Sequence, residues 1–367
     1  MKTGPDSFSN RYADARPQFC EQAALAGGVL EAIKHPELGP DGGELYTDVA
    51  RFGPESAPAT LVMISGTHGV EGFAGSGAQI DLLRRGEVLK LPSDVSVVMI
   101  HAINPYGFAW CRRVTHENVD LNRNWIDFER ALPSNPAYDD IADVVCPSEW
   151  TDGVVKSTTA ALHAYAAAHS FDALIQAVTG GQYNHAKGIF YGGNRPSWSR
   201  STQTAIFKHY LSRAERVGII DLHTGLGPYG YAEQMIPASR ESGAYARASR
   251  WYGTSVTPVG GDDSASAQIV GDGLSAAGPL LPNAEVTAVA WEFGTLAPFE
   301  VLQALRADAW LHAYGNPASE VGDSIRQQMR RAFFIDEDFW KGMIVAQTLT
   351  AFREALAGLS TQPVPTQ

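Results

Sequence analysis

The chain has 367 residues, 44% of them hydrophobic, and a formal net charge of −12. That much apolar content can bury a large core, and an acidic chain without a Lys/Arg run argues against nucleic acid, whose phosphates need a basic face. No apolar stretch is long enough for a membrane span, the polar stretch from Met1 to Gln18 lacks the apolar centre of a signal peptide, and Cys20, Cys111 and Cys146 show no paired spacing. The expectation is a cytoplasmic protein without disulfides, acting on neither nucleic acid nor membrane.

Residues 20–34 carry helical spacing and predict an amphipathic helix, followed by a turn at 39–43 and an edge strand at 44–49. The run 61–64 predicts a fully buried strand. Phe73, Gly77, Ile80 and Leu83 then recur at helical spacing, predicting a helix that ends near Gly86, and 95–100 predicts a second buried strand closed by Asn104-Pro105-Tyr106-Gly107. Strand, helix and strand in so short a span imply a βαβ unit with a parallel pair. The composition of 133–153 predicts a long surface loop. Helices are expected at 154–168, 171–179 and 201–214, a loop at 192–196, buried strands at 217–222 and 286–291, and helices at 298–313 and 338–357. The whole reads as one α/β domain over 1–358, with a mixed, largely parallel sheet between helices and a flexible tail at 359–367.

The chemistry concentrates just past the carboxyl ends of these strands, where open α/β sheets place their ligands. Ser65-Gly66-Thr67-His68-Gly69-Val70-Glu71-Gly72 delivers an imidazole and a carboxylate three residues apart into a glycine-rich turn, a spacing that lets both reach one cation such as Zn2+. His223, directly after the 217–222 strand, is the candidate third ligand; His2Glu leaves one tetrahedral position open, as catalytic zinc requires. Glu292 ends the 286–291 strand, and a carboxylate at the mouth of an apolar strand is a candidate general base as well as a candidate salt-bridge partner. Between them, Arg112-Arg113 and Asp120-Leu121-Asn122-Arg123 form a polar loop. There Arg123 with Asn122 is a candidate clamp for an anionic substrate end, and Arg112 or Arg113 a candidate to steady a developing oxyanion.

His68-x-x-Glu71, Asn104-Pro105-x-Gly107, Asp120-x-Asn122-Arg123-Asn124-Trp125, His223 and Glu292 occur in an order that resembles the zinc carboxypeptidases of the M14 type. The Ser-Gly-Thr-His-Gly-Val-Glu-Gly form is most similar to the DUF2817 branch, near the succinylglutamate desuccinylase and aspartoacylase relatives. The resemblance implies a three-layer carboxypeptidase-like fold and one zinc ion held by His68, Glu71 and His223. It implies Glu292 as general base, Arg113, or Arg112, on the scissile carbonyl, Asn122 and Arg123 on the substrate carboxylate, and Asp120 orienting His68. The implied reaction is attack of metal-activated water on an amide bond beside a free carboxylate, in a small molecule or short peptide, by a carboxypeptidase or an N-acyl amino acid deacylase. The family's substrate-capping tyrosine has only candidates here: Tyr183, Tyr191, Tyr229 and Tyr231.

Two alternatives remain beside this reading: a zinc-holding binding protein without turnover, and a hydrolase of esters or other metabolites on the same site. A serine nucleophile is disfavoured, because no Gly-x-Ser-x-Gly pentapeptide is present. Nucleotide binding is disfavoured too, because the glycines run Gly-x-x-Gly-x-x-Gly and His68 and Glu71 fill the turn that a phosphate would approach.

Overall fold

The computed structural model describes residues 3–261 and 263–361. Among them, eight strands form one sheet: β1 (Val29–Leu38), β2 (Glu44–Phe52), β3 (Ala59–Ser65), β4 (Val95–His101), β5 (Arg216–Tyr229), β6 (Ala232–Ile236), β7 (Val256–Pro258) and β8 (Glu285–Gly294). Their spatial order is β1-β2-β4-β3-β5-β8-β6-β7. The central β4, β3, β5 and β8 are mutually parallel, whereas β2 runs antiparallel to β4 and β6 antiparallel to β8, giving a mixed, mostly parallel sheet.

The parallel strands are apolar on both faces because helices cover both. On β3, Leu61 and Met63 point into a core shared with Phe19, Phe73 and Phe352, from the helices Tyr12–Leu25, Gly72–Arg84 and Asp338–Leu359. Val62 and Ile64 point the other way, into a core with Ile206, Phe207 and Leu274 from the helices Trp198–Tyr210 and Gly273–Leu280. The result is helix, sheet, helix in three layers. The βαβ unit forms as expected, with β3 and β4 adjacent and parallel around the helix Gly72–Arg84.

Several boundaries differ from the sequence reading. Residues 20–34 are not one helix: the first helix is Tyr12–Leu25, it closes at Gly27 with φ +76°, and β1 follows. Gly28 then passes so close to Phe52 that a Cβ there would lie 2.6 Å from the ring, so this position needs glycine. β1 is mostly solvent-exposed, so its sequence lacks the apolar alternation of a half-buried strand. β2 is consequently an interior strand rather than the edge. The segment 133–153 contains the short helices Pro136–Asp139 and Ala142–Val145, whose Tyr138 and Val145 are fully buried. The last helix runs to Leu359, which is buried, and Ser360 and Thr361 hydrogen-bond Asp94 at 2.7 and 2.8 Å, so the segment assigned to a tail starts inside the fold; 362–367 lie outside the described residues. None of the described helices is long and apolar enough to cross a membrane.

Candidate active site

β3 ends at Ser65, and Gly66, at φ +65°, turns the chain into the short 3-10 helix Gly69–Glu71. Residues i and i+3 eclipse in a 3-10 turn, which sets His68 and Glu71 on one side. The turn is docked on the backbone after β4: Gly69 N–H donates to Arg113 O at 3.0 Å and Val70 N–H to Arg112 O at 2.8 Å. This approach needs glycine at 69, since a Cβ would fall 2.1 Å from the backbone of Gly107. The docking also brings Arg113 beside both candidate ligands.

His223 and Glu292 meet through sheet register. They are directly paired across the parallel strands β5 and β8, so both side chains leave the same face as neighbours. Both strands run past the predicted ends, and both residues lie within the strands. His68 Nδ1 lies 2.9 Å from Glu71 Oε1, His223 Nδ1 lies 2.9 Å from Glu71 Oε2, and the two Nδ1 atoms are 3.2 Å apart. Ligands at about 2.0–2.1 Å around a tetrahedral ion are separated by about 3.3 Å, so two imidazole nitrogens and one carboxylate fit a single zinc-sized cation. All three residues are buried. The cluster also attracts positive charge: burial opposes protonation of His223, but Asp221 and Glu71 raise its pKa well above the imidazole range. Burial likewise works against ionised Glu71, yet His68 and His223 hold it below the usual carboxylate range.

The far side of each imidazole faces an aspartate. Asp120 Oδ1 lies 3.3 Å from His68 Nε2, and Asp221 Oδ2 lies 2.9 Å from His223 Nε2. Asp221 is held in turn by the Thr67 hydroxyl, which donates to Oδ1 at 2.9 Å. Carboxylates placed behind ligating imidazoles orient the rings in metal sites, although here the group nearest His68 Nε2 is Arg113 Nη2, at 2.8 Å. The sequence reading assigned no role to Asp221. The available signal was its position two residues before His223 on a strand, hence on the same face.

Glu292 is buried beside this cluster, and its Oε1 accepts a hydrogen bond from Leu226 N–H at 2.9 Å. Burial, and then the charge of Glu71, push its carboxyl up to about 7. A carboxyl poised there takes and returns a proton near neutral pH.

The arginines divide. Arg113 donates from Nε to Asp120 Oδ2 at 2.9 Å, and its Nη1 and Nη2 lie 3.2 Å from Glu71 Oε1 and 2.8 Å from His68 Nε2. Arg123 is buried with backbone carbonyls around it: Nε donates to Thr179 O at 3.2 Å, Nη1 to Asn122 O at 2.8 Å, and Nη2 also reaches Thr179 O. These bonds use one hydrogen each on Nε, Nη1 and Nη2 and leave one on each terminal nitrogen; burial draws the pKa down, with Asp120 and Asp272 partly offsetting it, and no carboxylate bonds the guanidinium directly among the described residues. Asn122 lines the same cavity, its Oδ1 accepting from Gly273 N–H at 3.2 Å. Arg112 does not belong to the site. It is turned into the protein, with Nε on Asp308 Oδ2 at 3.0 Å and Nη2 on Asn118 Oδ1 at 2.9 Å, and it does not line the cavity. The adjacent Arg113 took the position facing the ligands because the backbone of 112–113 is fixed by the His68 turn.

A cavity of about 350 Å³ opens over this cluster, lined by His68, Arg113, Arg123, His223 and Glu292 and by apolar side chains from several elements. None of the candidate tyrosines lines it. The Tyr183 hydroxyl donates to Arg123 O at 2.6 Å, and that of Tyr229 to Glu337 Oε2 at 2.9 Å. The neighbouring Phe190 occupies the wall instead, with the Arg113 and Arg123 guanidinium carbons 5.2 and 5.5 Å from its ring centre.

Sheet and site together define an α/β protein with a His-x-x-Glu…His metal-type cluster at the carboxyl ends of parallel strands and a carboxylate beside it. More particularly, the chain belongs to the family described as "Protein of unknown function (DUF2817)", whose model matches residues 8–347. No curated protein matches the chain. Among solved structures, the bovine thrombin-activatable fibrinolysis inhibitor in complex with tick carboxypeptidase inhibitor is similar at 10% identity and a TM-score of 0.46, covering 94% of this chain and 98% of that one. Carboxypeptidase A from Helicoverpa armigera is similar at 12% identity and a TM-score of 0.43, covering 88% and 74%. A protein from Shewanella amazonensis described under the succinylglutamate desuccinylase/aspartoacylase family is similar at 18% identity and a TM-score of 0.36, covering 78% and 70%.

Proposed function

We propose that the chain is a zinc-dependent hydrolase that cleaves an amide bond beside a free carboxylate, as a carboxypeptidase or as an N-acyl amino acid deacylase. The observation that carries this reading is convergence. His68 and Glu71 from one turn meet His223 from β5, and the register of β8 sets Glu292 next to His223.

When bound, a zinc ion lowers the pKa of water to about 7 and polarises a carbonyl. His68, Glu71 and His223 would hold it through Nδ1, a carboxylate oxygen and Nδ1. Asp120 and Asp221 would orient the rings by facing each Nε2. With Nδ1 on the metal, His68 Nε2 would carry a hydrogen and no longer accept from Arg113 Nη2, 2.8 Å away; that group would then turn to donate to the carbonyl oxygen as it gains charge. Glu292 takes the proton of the attacking water at Oε2, since Oε1 is tied to Leu226 N–H, and returns it to the leaving amine. Arg123, with Asn122 beside it, binds the substrate carboxylate and fixes the scissile bond relative to Glu292.

The test is a mixed library of dipeptides and N-acyl amino acids incubated with zinc-loaded protein and read by mass spectrometry. The expected products include a fragment bearing a free amine and the carboxylate; chelation abolishes their formation and added zinc restores it. Hydrolysis indifferent to chelation would overturn the metal-dependent reading, and a full equivalent of bound zinc with no turnover across the library would make the chain a metal-holding binding protein.

A further inference from the structure

The walls of the cavity are chemically one-sided. The helix Phe171–Thr179 ends at the carbonyl that binds Arg123, and from there it presents Val178, Ile175 and Phe171 to the cavity, a single apolar stripe at helical spacing. The helix Pro298–Ala313 presents Val301, Leu302 and Leu305 to the same space. Seven residues separate Phe171 from Val178, so at about 1.5 Å per residue the stripe is about 10 Å long. Phe171 is 47% exposed, which marks that end as the mouth.

The charges lining the cavity sharpen this. Apart from the imidazoles of His68 and His223, its cations are Arg113 and Arg123, and Arg113 is already matched by Asp120 and Glu71. The carboxylates away from the metal-type cluster are Asp172, near the mouth, and Asp272, which caps the helix Gly273–Leu280. A second anionic group on a substrate would therefore meet no cation, only apolar wall, like charge or neutral groups such as Ser264 and Ser266, and its charge would go uncompensated.

We infer that the substrate is a monocarboxylate bearing an extended apolar group on its carboxylate half. Arg123 holds the carboxylate and an alkyl or aryl chain lies along the Val178–Ile175–Phe171 stripe; dicarboxylates such as N-acyl aspartates or glutamates are excluded. This names the substrate class of the site proposed above and rests on that reading for its catalytic meaning, although the binding it requires does not. Carbon–carbon bonds of about 1.5 Å advance an extended chain by about 1.25 Å each, so the stripe accommodates roughly eight methylenes.

Calorimetric titration of the zinc-loaded protein with a series of linear alkanoates from acetate to decanoate tests it without any turnover. The expected result is a Kd that falls about four-fold per methylene, the increment for burying a CH2, before levelling near decanoate. Succinate and glutarate are expected to bind no better than acetate. Ile175→Arg, at a half-buried position on the stripe, is expected to remove the chain-length gain and to improve glutarate binding. A Kd independent of chain length, or glutarate binding more tightly than hexanoate in the unmodified protein, would overturn the inference while leaving metal-dependent hydrolysis standing. A chain-length gain without hydrolysis of any amide would leave the inference standing and remove the catalytic reading.

Discussion

Glu292→Gln is expected to lower kcat by about 10³-fold, within the range for loss of a general base, while the protein still binds one equivalent of zinc. The amide keeps the oxygen that accepts from Leu226 N–H, so the side chain stays in place and loses only its ability to take a proton. The pH profile carries the same assignment. Glu292 works as a base only when ionised, and burial with the adjacent Glu71 raises its pKa to about 7, so activity falls as pH drops through this value. A bound cation stabilises the carboxylate and moves the acidic limb to or below pH 7. The limb should be absent from the residual activity of the Gln variant. A variant with full activity, or an unchanged acidic limb, would remove Glu292 from the proton transfer.

His223→Ala is expected to abolish measurable activity and weaken zinc binding by more than about 100-fold, beyond the 10–100-fold typical of losing an outer partner. It deletes one of three converging donors and leaves the buried carboxylates of Asp221 and Glu71 without the imidazole between them. Zinc content after gel filtration, with circular dichroism to verify the fold, checks it; an Ala variant that keeps a full equivalent of tightly bound zinc would show that the metal sits elsewhere.

The central fold was legible because parallel strands buried on both faces read as unbroken apolar runs. Strands 61–64, 95–100, 217–222 and 286–291 all fall inside β3, β4, β5 and β8. The flanks were not, for opposite reasons: β1 is exposed on most of its length, and β6 and β7 are too short to show a period. His68, Glu71, His223 and Glu292 stood out because polar groups at the ends of apolar strands are conspicuous. Their meeting depends on register, in particular the pairing of His223 with Glu292, which no local pattern encodes. Arg112 and Arg113 were indistinguishable for the same reason, since their directions are set by the docking of Gly69 and Val70 on their carbonyls. The cavity walls come from segments 100 to more than 200 residues from the ligand turn in sequence, among them Phe171 and Leu302. Only the folded chain brings them to Arg123.

The most direct measurement is the anomalous difference map of zinc-loaded crystals, recorded on both sides of the zinc absorption edge. One strong peak is predicted, about 2.0–2.2 Å from His68 Nδ1, His223 Nδ1 and a Glu71 oxygen, with one coordination position facing Glu292. A peak bound to other side chains, or none at this cluster in protein carrying a full equivalent of zinc, would contradict the account.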